Sequence, residues 1–514
     1  MNVIGSTVFI RCCQGIVQAL GLVGITLAMS ACSGLSSGLD AFSLDHLPVW
    51  TANRLEREAA ATPPPIEFTD PAWWQQLNDA GLTALIETGL QDSANARAAA
   101  AKVALAQAQM GVLQSNLQPQ MNARLEANKQ QLSKNYYIPP AFAQKPLEVA
   151  QTAGSFNWDL DLWGRQKKAI EAQQGQAAAA AAEQANVSLQ LSTQITRAYV
   201  QLRWTKTYLA ELDAIAQAQQ GILDLQTTRQ TLGLDDGGAA DQAREALAAN
   251  VVLREQTANQ QVRIVNALQS LVGSAAVVAD ALRRLPDTMP GQVLQYTADQ
   301  PIPLKLLARR PDLVGMRFLA EAAAKQVDAT RLGALPNINL TGFLGLQAIG
   351  WDKLLNSGSK IGLLGGVIEF PIFDAGKIRF ATEARKAEFA VLKAQYENAV
   401  SNACLDIVNE VALLGQLNTE IAMQRERLAI QKQLKDRAAR RYELGLDSRI
   451  PALLADLQYH GQQLRLLDSQ LKGLANQIDL IVALGGGYEN TAVSAKLAQA
   501  HPGPDDQSPP ERSP

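Results

Sequence analysis

A strand-like segment that runs directly into a very long helix-forming segment occurs twice in this chain. FNWDLDLWGR (Phe156–Arg165) alternates apolar and polar residues, the period-2 pattern of a strand with one apolar and one polar face. IEFPIFDAGK (Ile368–Lys377) matches it, and both segments end in glycine followed by a basic residue. At the same offset, TLGLD (Thr231–Asp235) aligns with ELGLD (Glu443–Asp447). One structural unit is therefore expected twice, at residues 71–273 and 301–487.

Each unit should contain two strands and one proline-free helix of unusual length. We expect these elements at about 119–130, 152–163 and 166–232 in the first unit, and at about 336–347, 361–373 and 377–444 in the second. At 1.5 Å per residue, each long helix would extend about 100 Å. Helices of that length suit coiled-coil packing better than a globular core. Residues 274–300 are interpreted as the linker between the units.

The long helices are expected to end at a glycine and turn back. Gly233 and Gly445 can adopt the left-handed conformation of a helix C-cap. Asp235, Asp447 or Ser448 can then cap the helix that follows. The sequence therefore predicts two helical hairpins, with their tips at the same end, built on four strands.

The first 31 residues are typical of a targeting segment. An apolar run ends at Met29-Ser30-Ala31-Cys32, which resembles a bacterial lipobox. There the cysteine becomes the lipid-modified N-terminus, so we expect diacylglycerol and palmitate on Cys32; an ordinary signal peptide with an incidental cysteine is the alternative. Residues 32–70 would form a lipidated tether and residues 488–514 a disordered tail. By resemblance to sorted lipoproteins, Ser33 after the cysteine favours the outer membrane.

Net charge and hydropathy restrict the kinds of partner and membrane contact that the chain can have. The formal net charge of -3 supplies no basic surface for nucleic acid, so none is expected. After the signal segment, no stretch approaches the roughly 20 apolar residues of a membrane-spanning helix. If the mature chain enters a membrane, it must do so as strands. Four strands alone would leave unpaired edges in hydrocarbon, which implies a homo-oligomer.

The strand faces indicate how such a sheet would lie. Phe156, Trp158 and Leu160 would face lipid. Asn157, Asp159 and Asp161 would face a water-filled lumen. A soluble sheet covered by helices is the alternative, and periodicity alone does not exclude it.

Several motifs together carry a resemblance to one family. They are WDLDLWGR (Trp158–Arg165), LARRPDL (Leu307–Leu313), PIFDAGK (Pro371–Lys377), RRYELGL (Arg440–Leu446) and ALGGGY (Ala483–Tyr488). In this order they are similar to the TolC-like outer-membrane efflux lipoproteins of the NodT/OprM type. The resemblance implies a mixed fold, all-α plus membrane β-barrel: a trimer whose twelve-stranded β-barrel stands on a periplasmic α-barrel. It also implies a periplasmic adaptor (membrane fusion protein) and an inner-membrane transporter, of the RND type, as partners.

Within this resemblance, two regions carry the candidate site residues. The junction between barrel and tunnel would contain Trp158, Asp159, Asp161, Trp163, Gly164 and Gly376. The two glycines would permit a sharp change of backbone direction. Candidates for contact with the adaptor are Arg229, Gly233, Arg441 and Gly445 at the tips.

The gate is expected near the tips, but the usual motif is missing. Related channels narrow the entrance with acidic residues in a DVLD-like segment, where this chain has Pro451 and Leu454. A constriction by charge would have to use Asp235, Asp236, Asp447, Arg449 and Asp456, and an apolar constriction Leu453 or Leu454. For each charged residue, capping or solvation is an equally good explanation.

The predicted function is passive conduction of small molecules from the periplasm to the exterior, gated at the tips. Catalysis is not expected, because Asp159 and Asp161 are accompanied by no partner motif. A metal site is not expected either, since His46, His460 and His501 lack the spacing of ligands. Two alternatives stay open: a type I secretion or polysaccharide export duct, and a non-conducting periplasmic coiled-coil scaffold.

Overall fold

The computed structural model describes residues 72–131, 133, 135, 146–291 and 309–488. The expected signal peptide, the tether with Cys32, the end of the linker and all but the first residue of the tail lie outside these residues. Within them, the α-helices are α1 (Ala80–Asp92), α2 (Ala94–Ser115), α3 (Arg165–Thr231), α4 (Gly238–Val272), α5 (Ala275–Arg283), α6 (Pro311–Leu332), α7 (Lys377–Glu443) and α8 (Arg449–Ala483). The strands are β1 (Gln120–Gln131), β2 (Pro146–Asp159), β3 (Asn337–Ile349) and β4 (Lys360–Glu369).

The two repeats have matching elements of matching length. Helices α3 and α7 each contain 67 residues, and the return helices α4 and α8 each contain 35. Contacts repeat as well: Asn250 donates to the carbonyl of Leu212, and Gln462 donates to the carbonyl of Gln424. The two donors are 212 residues apart in the chain, and so are the two acceptors. We call this offset the repeat register. The part expected to be only a linker begins with α5.

The four strands form one antiparallel sheet in the order β1-β2-β3-β4, so β2 and β3 join the two repeats. One face is mostly apolar, and its large apolar side chains are Met121, Leu125, Phe156, Trp158, Ile338, Leu340, Leu344, Leu346, Leu364 and Ile368. Polar side chains of the other face include Asn122, Arg124, Glu126, Asn128, Gln151, Asn157, Asp159, Asn339 and Thr341. The predicted division of Phe156 and Trp158 from Asn157 and Asp159 is confirmed. Within the described residues, β1 and β4 pair on one side only.

Three predicted strand bounds are wrong: both ends of β2 and the end of β4. β2 ends at Asp159 instead of continuing to residue 163, because Asp161 adopts a positive φ of 44° that strands do not accommodate. It also begins at Pro146, before the alternating segment. β4 ends at Glu369 instead of residue 373, just before Pro371, which cannot donate to a strand ladder. The remaining strand bounds and both long helices differ from expectation by at most two residues.

Helices pack closely where alanine and glycine face each other. A Cβ added to Gly175 of α3 would lie 2.9 Å from the Cβ of Ala322 in α6. Ala179 and Ala182 of α3 likewise lie against Gly315 of α6. Small side chains thus allow the two helix backbones to approach each other. Among the described helices, none combines the length and apolar character needed to cross a membrane.

A buried polar cluster connects α1 to the middle of α3. The hydroxyl of Tyr199 donates to Oδ2 of Asp79 at 2.8 Å, and Nη1 of Arg203 donates to the same oxygen at 3.1 Å. Oδ1 of Asp79 caps α1 by accepting from the N–H of Gly81. Nε of Arg203 also donates to the carbonyl of Thr288 at 2.9 Å, so the segment after α5 is held as well. Arg203 is 6% exposed, and burial raises the pKa of Tyr199.

Candidate functional site: helical tips and strand–helix junction

Both long helices end in the same hydrogen-bonded turn. Gly233 follows α3 with a φ of +70°, and the N–H of Leu234 donates to the carbonyl of Arg229 at 2.9 Å. Gly445 follows α7 with a φ of +69°, and the N–H of Leu446 donates to the carbonyl of Arg441 at 2.9 Å. The predicted left-handed C-caps are confirmed. These turns satisfy helix carbonyls that would otherwise lack donors.

At each tip, an arginine from the last turn binds the aspartate after the glycine. Arg229 Nε lies 3.8 Å from Asp235 Oδ2, and Arg441 Nε lies 2.6 Å from Asp447 Oδ2. The hydrogen bond that Arg441 donates to Asp447 raises the pKa of Arg441. The structure thus joins two gate candidates to two candidates for adaptor contact.

The return helices are not capped in the predicted way. Ser448 precedes α8, but its side chain makes no cap hydrogen bond, and the side chains of Asp235 and Asp447 are turned to the arginines. The predicted capping by these three residues is therefore wrong. Before α4, Asp236 Oδ1 accepts from the N–H of Gly238 at 3.0 Å, and this bond lowers the pKa of Asp236.

The other gate candidates occupy different surroundings. Arg449 is the first residue of α8 and is exposed. Leu453 contacts α3, since a Cβ added to Gly221 would lie 3.2 Å from its Cδ1. Leu454 is 49% exposed. Asp456 binds Lys435 of α7, with 2.5 Å between Oδ1 and Nζ. The candidates therefore divide between the two tips and the first turns of α8.

A polar cluster that sequence reasoning missed lies beside Asp456. His460 Nδ1 is 2.6 Å from Glu211 Oε2, and His460 Nε2 is 3.4 Å from Asp456 Oδ1. The cluster links α3, α7 and α8. Glu211 and His460 are 249 positions apart, so no local motif could reveal the contact. The only signal in the sequence was His460 itself, a polar residue within the helix-forming segment that became α8.

At the other end of α3, Asp161 is the helix cap. Its carboxylate accepts from the N–H of Gln166 and of Lys167, both at 2.9 Å. The prediction that Asp161 faces the lumen from a strand is wrong, because the residue lies beyond β2. Leu160, predicted on the lipid face of the same strand, also lies beyond its end. Asp159, which does end β2, has Oδ2 3.5 Å from Arg165 Nη2. Negative charge beside the first N–H groups of a helix is stabilising.

Two tryptophans fix this junction to neighbouring connections. Trp158 Nε1 donates to the carbonyl of Leu117 at 2.9 Å, between α2 and β1. Trp163 Nε1 donates to the carbonyl of Pro336 at 2.7 Å, between α6 and β3. Chain direction changes at Gly164, where φ is +74°. The two indoles therefore fix the end of β2 and the start of α3 to the α2–β1 and α6–β3 connections.

The second repeat makes the same turn with a different cap. Gly376 has a φ of +84°, and Asp374 accepts from the N–H of Ile378 and of Gly376, both at 2.9 Å. These backbone donors hold the pKa of Asp374 below its ordinary value. Nearby Ile372 and Phe373 are 90% and 89% exposed.

A cavity of about 480 Å³ opens between the junction of the first repeat and the ends of α6 and β4 in the second. Its lining includes Asp161, Arg165 and Glu369 together with Trp163 and Phe370. Elsewhere, Cys404 is buried, and burial raises the pKa of its thiol. In the described ranges, no cluster of histidine, cysteine, aspartate and glutamate is arranged to hold a metal ion.

Comparison with known proteins matches both repeats. The sequence model of the family described as outer membrane efflux protein covers residues 85–274 and 302–486. The multidrug resistance outer membrane protein MdtP of Shigella flexneri is 29% identical over 435 residues, covering 82% of this chain and 88% of the relative. The toluene efflux pump outer membrane protein TtgF of Pseudomonas putida is 25% identical over 434 residues, covering 83% and 88%.

Solved structures agree with the fold. The outer membrane protein VceC of Vibrio cholerae superimposes with a TM-score of 0.72 at 27% identity, covering 82% of this chain and all of that one. The CmeC outer membrane channel of Campylobacter jejuni superimposes with a TM-score of 0.73 at 20% identity, covering 84% of this chain and 91% of that one. At this identity the likeness shows the fold alone.

The match to this family establishes the class of protein and its location in the cell. Proteins of this family are channels rather than enzymes, and they lie in the outer membrane with a helical extension in the periplasm. Two family segments coincide with the two repeats, and together they cover most of the described residues. The chain therefore belongs to the outer membrane efflux protein family, as a TolC-like outer-membrane factor.

Proposed function

We propose that this chain is the outer component of a tripartite efflux pump and conducts small molecules passively from the periplasm to the exterior. The observation that carries the proposal is one antiparallel sheet with an exposed apolar face, from which two helical hairpins of equal length extend. Lipid can cover such a face, and long helices can enclose a water-filled passage. Drugs and toxic organic compounds are the proposed cargo, since MdtP is named for multidrug resistance and TtgF for toluene efflux.

Three copies would complete the channel. In one chain, β1 and β4 each leave a strand edge unpaired within the described residues. Such edges are too costly in hydrocarbon, and closure removes them. We therefore propose a homotrimer with a twelve-stranded barrel, anchored additionally by diacylglycerol and palmitate on Cys32.

The tips are the proposed contact with a periplasmic adaptor, which would connect the channel to an inner-membrane transporter of the RND type. Two similar ends, each with a glycine turn and an Arg–Asp pair, support a repeated contact of one kind. The same region is the proposed gate, with Leu454 and the ionic residues around it.

The direct test is reconstitution of the purified protein into planar lipid bilayers. Discrete single-channel conductance, together with restored drug export in cells that lack their own outer component, is the expected result. A protein that restores no export and carries no ions would contradict the proposal and favour the scaffold alternative.

Lipidation has a separate test. Cells expressing the unaltered chain should incorporate labelled palmitate into the protein, and cells expressing Cys32→Ser should not. Label retained in Cys32→Ser would contradict acylation at this residue.

A further inference from the structure

The cavity of about 480 Å³ between the two repeats, which we call the junction cavity, exists because the repeats differ in one aromatic residue. In the first repeat, the indole of Trp158 closes the corresponding place by donating to the carbonyl of Leu117 at 2.9 Å. In the repeat register, Trp158 corresponds to Phe370, which lines the cavity together with Leu335. A phenyl ring is smaller than an indole and has no N–H to donate. The second repeat therefore leaves this space open.

Two half-exposed aromatic side chains form part of the wall of the junction cavity. Trp163 is 49% exposed and Phe370 is 58% exposed. The indole N–H of Trp163 is bound to the carbonyl of Pro336 at 2.7 Å, so this ring is held in position. The volume of about 480 Å³ is typical of sites for small organic molecules, which span roughly 300–1,000 Å³. Such rings offer apolar contact and attract cations through their π systems.

Among the charged side chains of the lining, one carboxylate is free. Asp161 is engaged by the backbone N–H groups that it caps, and Arg165 lies 3.5 Å from Asp159. Glu369 is exposed, and it makes no hydrogen bond or ion pair with another described residue. With two carboxylates against one guanidinium, the lining favours a positively charged ligand.

One wall of the junction cavity belongs to the polar face of the sheet. Glu369 and Asn337 pair directly at the helix-side ends of β4 and β3, and they share the face of Asn339 and Thr341. This face would line the water-filled passage of the channel. A molecule moving from the helical tunnel into the barrel would therefore pass the mouth of the cavity.

We propose that the junction cavity binds organic cations that carry an aromatic ring, with Glu369 facing the positive charge and Trp163 and Phe370 contacting the ring. The occupant is cargo in transit, a role that rests on the proposed function of conduction. Because Glu369 is exposed, solvent screens its attraction and the binding is weak. Weak binding suits a passage, since a molecule must leave the site as readily as it enters.

The test measures binding of ethidium, an aromatic cation that fluoresces more strongly when shielded from water, to the full chain in detergent. Phenyltrimethylammonium and benzenesulfonate, an aromatic cation and an aromatic anion of similar size, are compared as competitors. Phe370→Trp fills the cavity as the indole does in the first repeat, and Glu369→Gln removes only the charge. The matched controls are Phe380→Trp and Glu397→Gln, which alter exposed residues of α7 outside the cavity. Thermal unfolding shows whether each variant is folded.

We expect ethidium to bind the unaltered chain and both controls, and to be displaced by phenyltrimethylammonium but not by benzenesulfonate. Phe370→Trp should abolish binding, and Glu369→Gln should raise the Kd about threefold, as for the loss of one exposed ion pair. Absence of binding, equal displacement by the two competitors, or a Kd unchanged by Glu369→Gln would overturn the inference. Should Phe370→Trp not fold, Glu369→Gln and the competitors decide.

Bilayer conductance of the same preparations separates the site from the proposed function. Binding without conductance would contradict conduction and leave the site in place. Conductance without binding would contradict the site alone.

Discussion

At the residue scale, Asp161 shows what an alternating pattern cannot reveal. Its place after Asn157 and Asp159 predicts a third polar residue on one strand face, yet it adopts a positive φ and caps α3. Hydropathy records only whether a residue is polar, so it does not distinguish a lumen-facing carboxylate from a helix cap. Contacts between remote residues are equally hidden, and the cluster around Asp79 could not be predicted.

Replacing Asp161 should weaken the start of α3. Asp161→Ala removes the acceptor for the N–H groups of Gln166 and Lys167, and loss of such a cap costs about 0.5–2 kcal/mol. Asp161→Asn keeps one acceptor and tolerates the positive φ, so it should cost less. Thermal unfolding of the detergent-solubilised protein measures both. The control is Glu183→Ala, an exposed carboxylate within α3; an equal loss there would refute a capping role.

Arg203→Met should be more damaging. It removes the cation that Asp79 contacts at 3.1 Å in a site where Arg203 is 6% exposed. Breaking a buried pair from one side costs about 3–5 kcal/mol. Arg254→Met breaks the exposed pair with Asp213 and should change the melting temperature little. Similar melting temperatures for the two variants would show that the cluster does not stabilise the fold.

At the element scale, helix ends are the most predictable features because their signals are local. The glycines at both tips and the absence of proline fix α3 and α7 to within one residue of expectation. Strand ends are less predictable, since the start of β2 depends on pairing with β1. The contacts of the gate candidates are the least predictable, because Asp235 and Asp447 have partners that only the folded tips bring close.

Two glycine substitutions should act in opposite directions. Gly164→Ala places a side chain at a φ of +74° with nothing within 4 Å, so its cost is purely conformational, about 1–2 kcal/mol. Gly111→Ala, within α2 and also without neighbours, should stabilise by about 0.5–1 kcal/mol. Melting temperatures of both variants check the pair. A stabilising Gly164→Ala would mean that the left-handed turn is absent.

At the scale of the whole molecule, the duplicated architecture could be predicted from the sequence because the repeat is visible in it. The sheet order and the contact between α3 and α8 could not, because they join the two repeats across long stretches of chain. The exposure of the apolar face of the sheet is explained only by the surroundings of the whole molecule. Leu125 and Leu364 on that face are 71% and 78% exposed, which a protein in water would rarely retain.

A charge on that face should impair membrane assembly. Leu125→Arg near the middle of β1 should cost about 2–4 kcal/mol, as expected for arginine at the bilayer midplane. Glu126→Arg provides the matched control, because residue 126 lies on the opposite face, which already carries Arg124. The fraction of chains that assemble in phospholipid vesicles, and their unfolding in urea, measure the difference. Equal impairment by both substitutions would contradict the assignment of faces.

Equal helix lengths restrict how such a channel can change its size. Because α3 matches α7 and α4 matches α8 in number of residues, the hairpin ends lie equally far from the sheet. A rim assembled from such ends is flat, and a second flat ring can touch all of it at once. An insertion in one repeat alone would tilt that rim. Longer or shorter versions of the channel should therefore arise by matched changes in both halves, in whole helical turns.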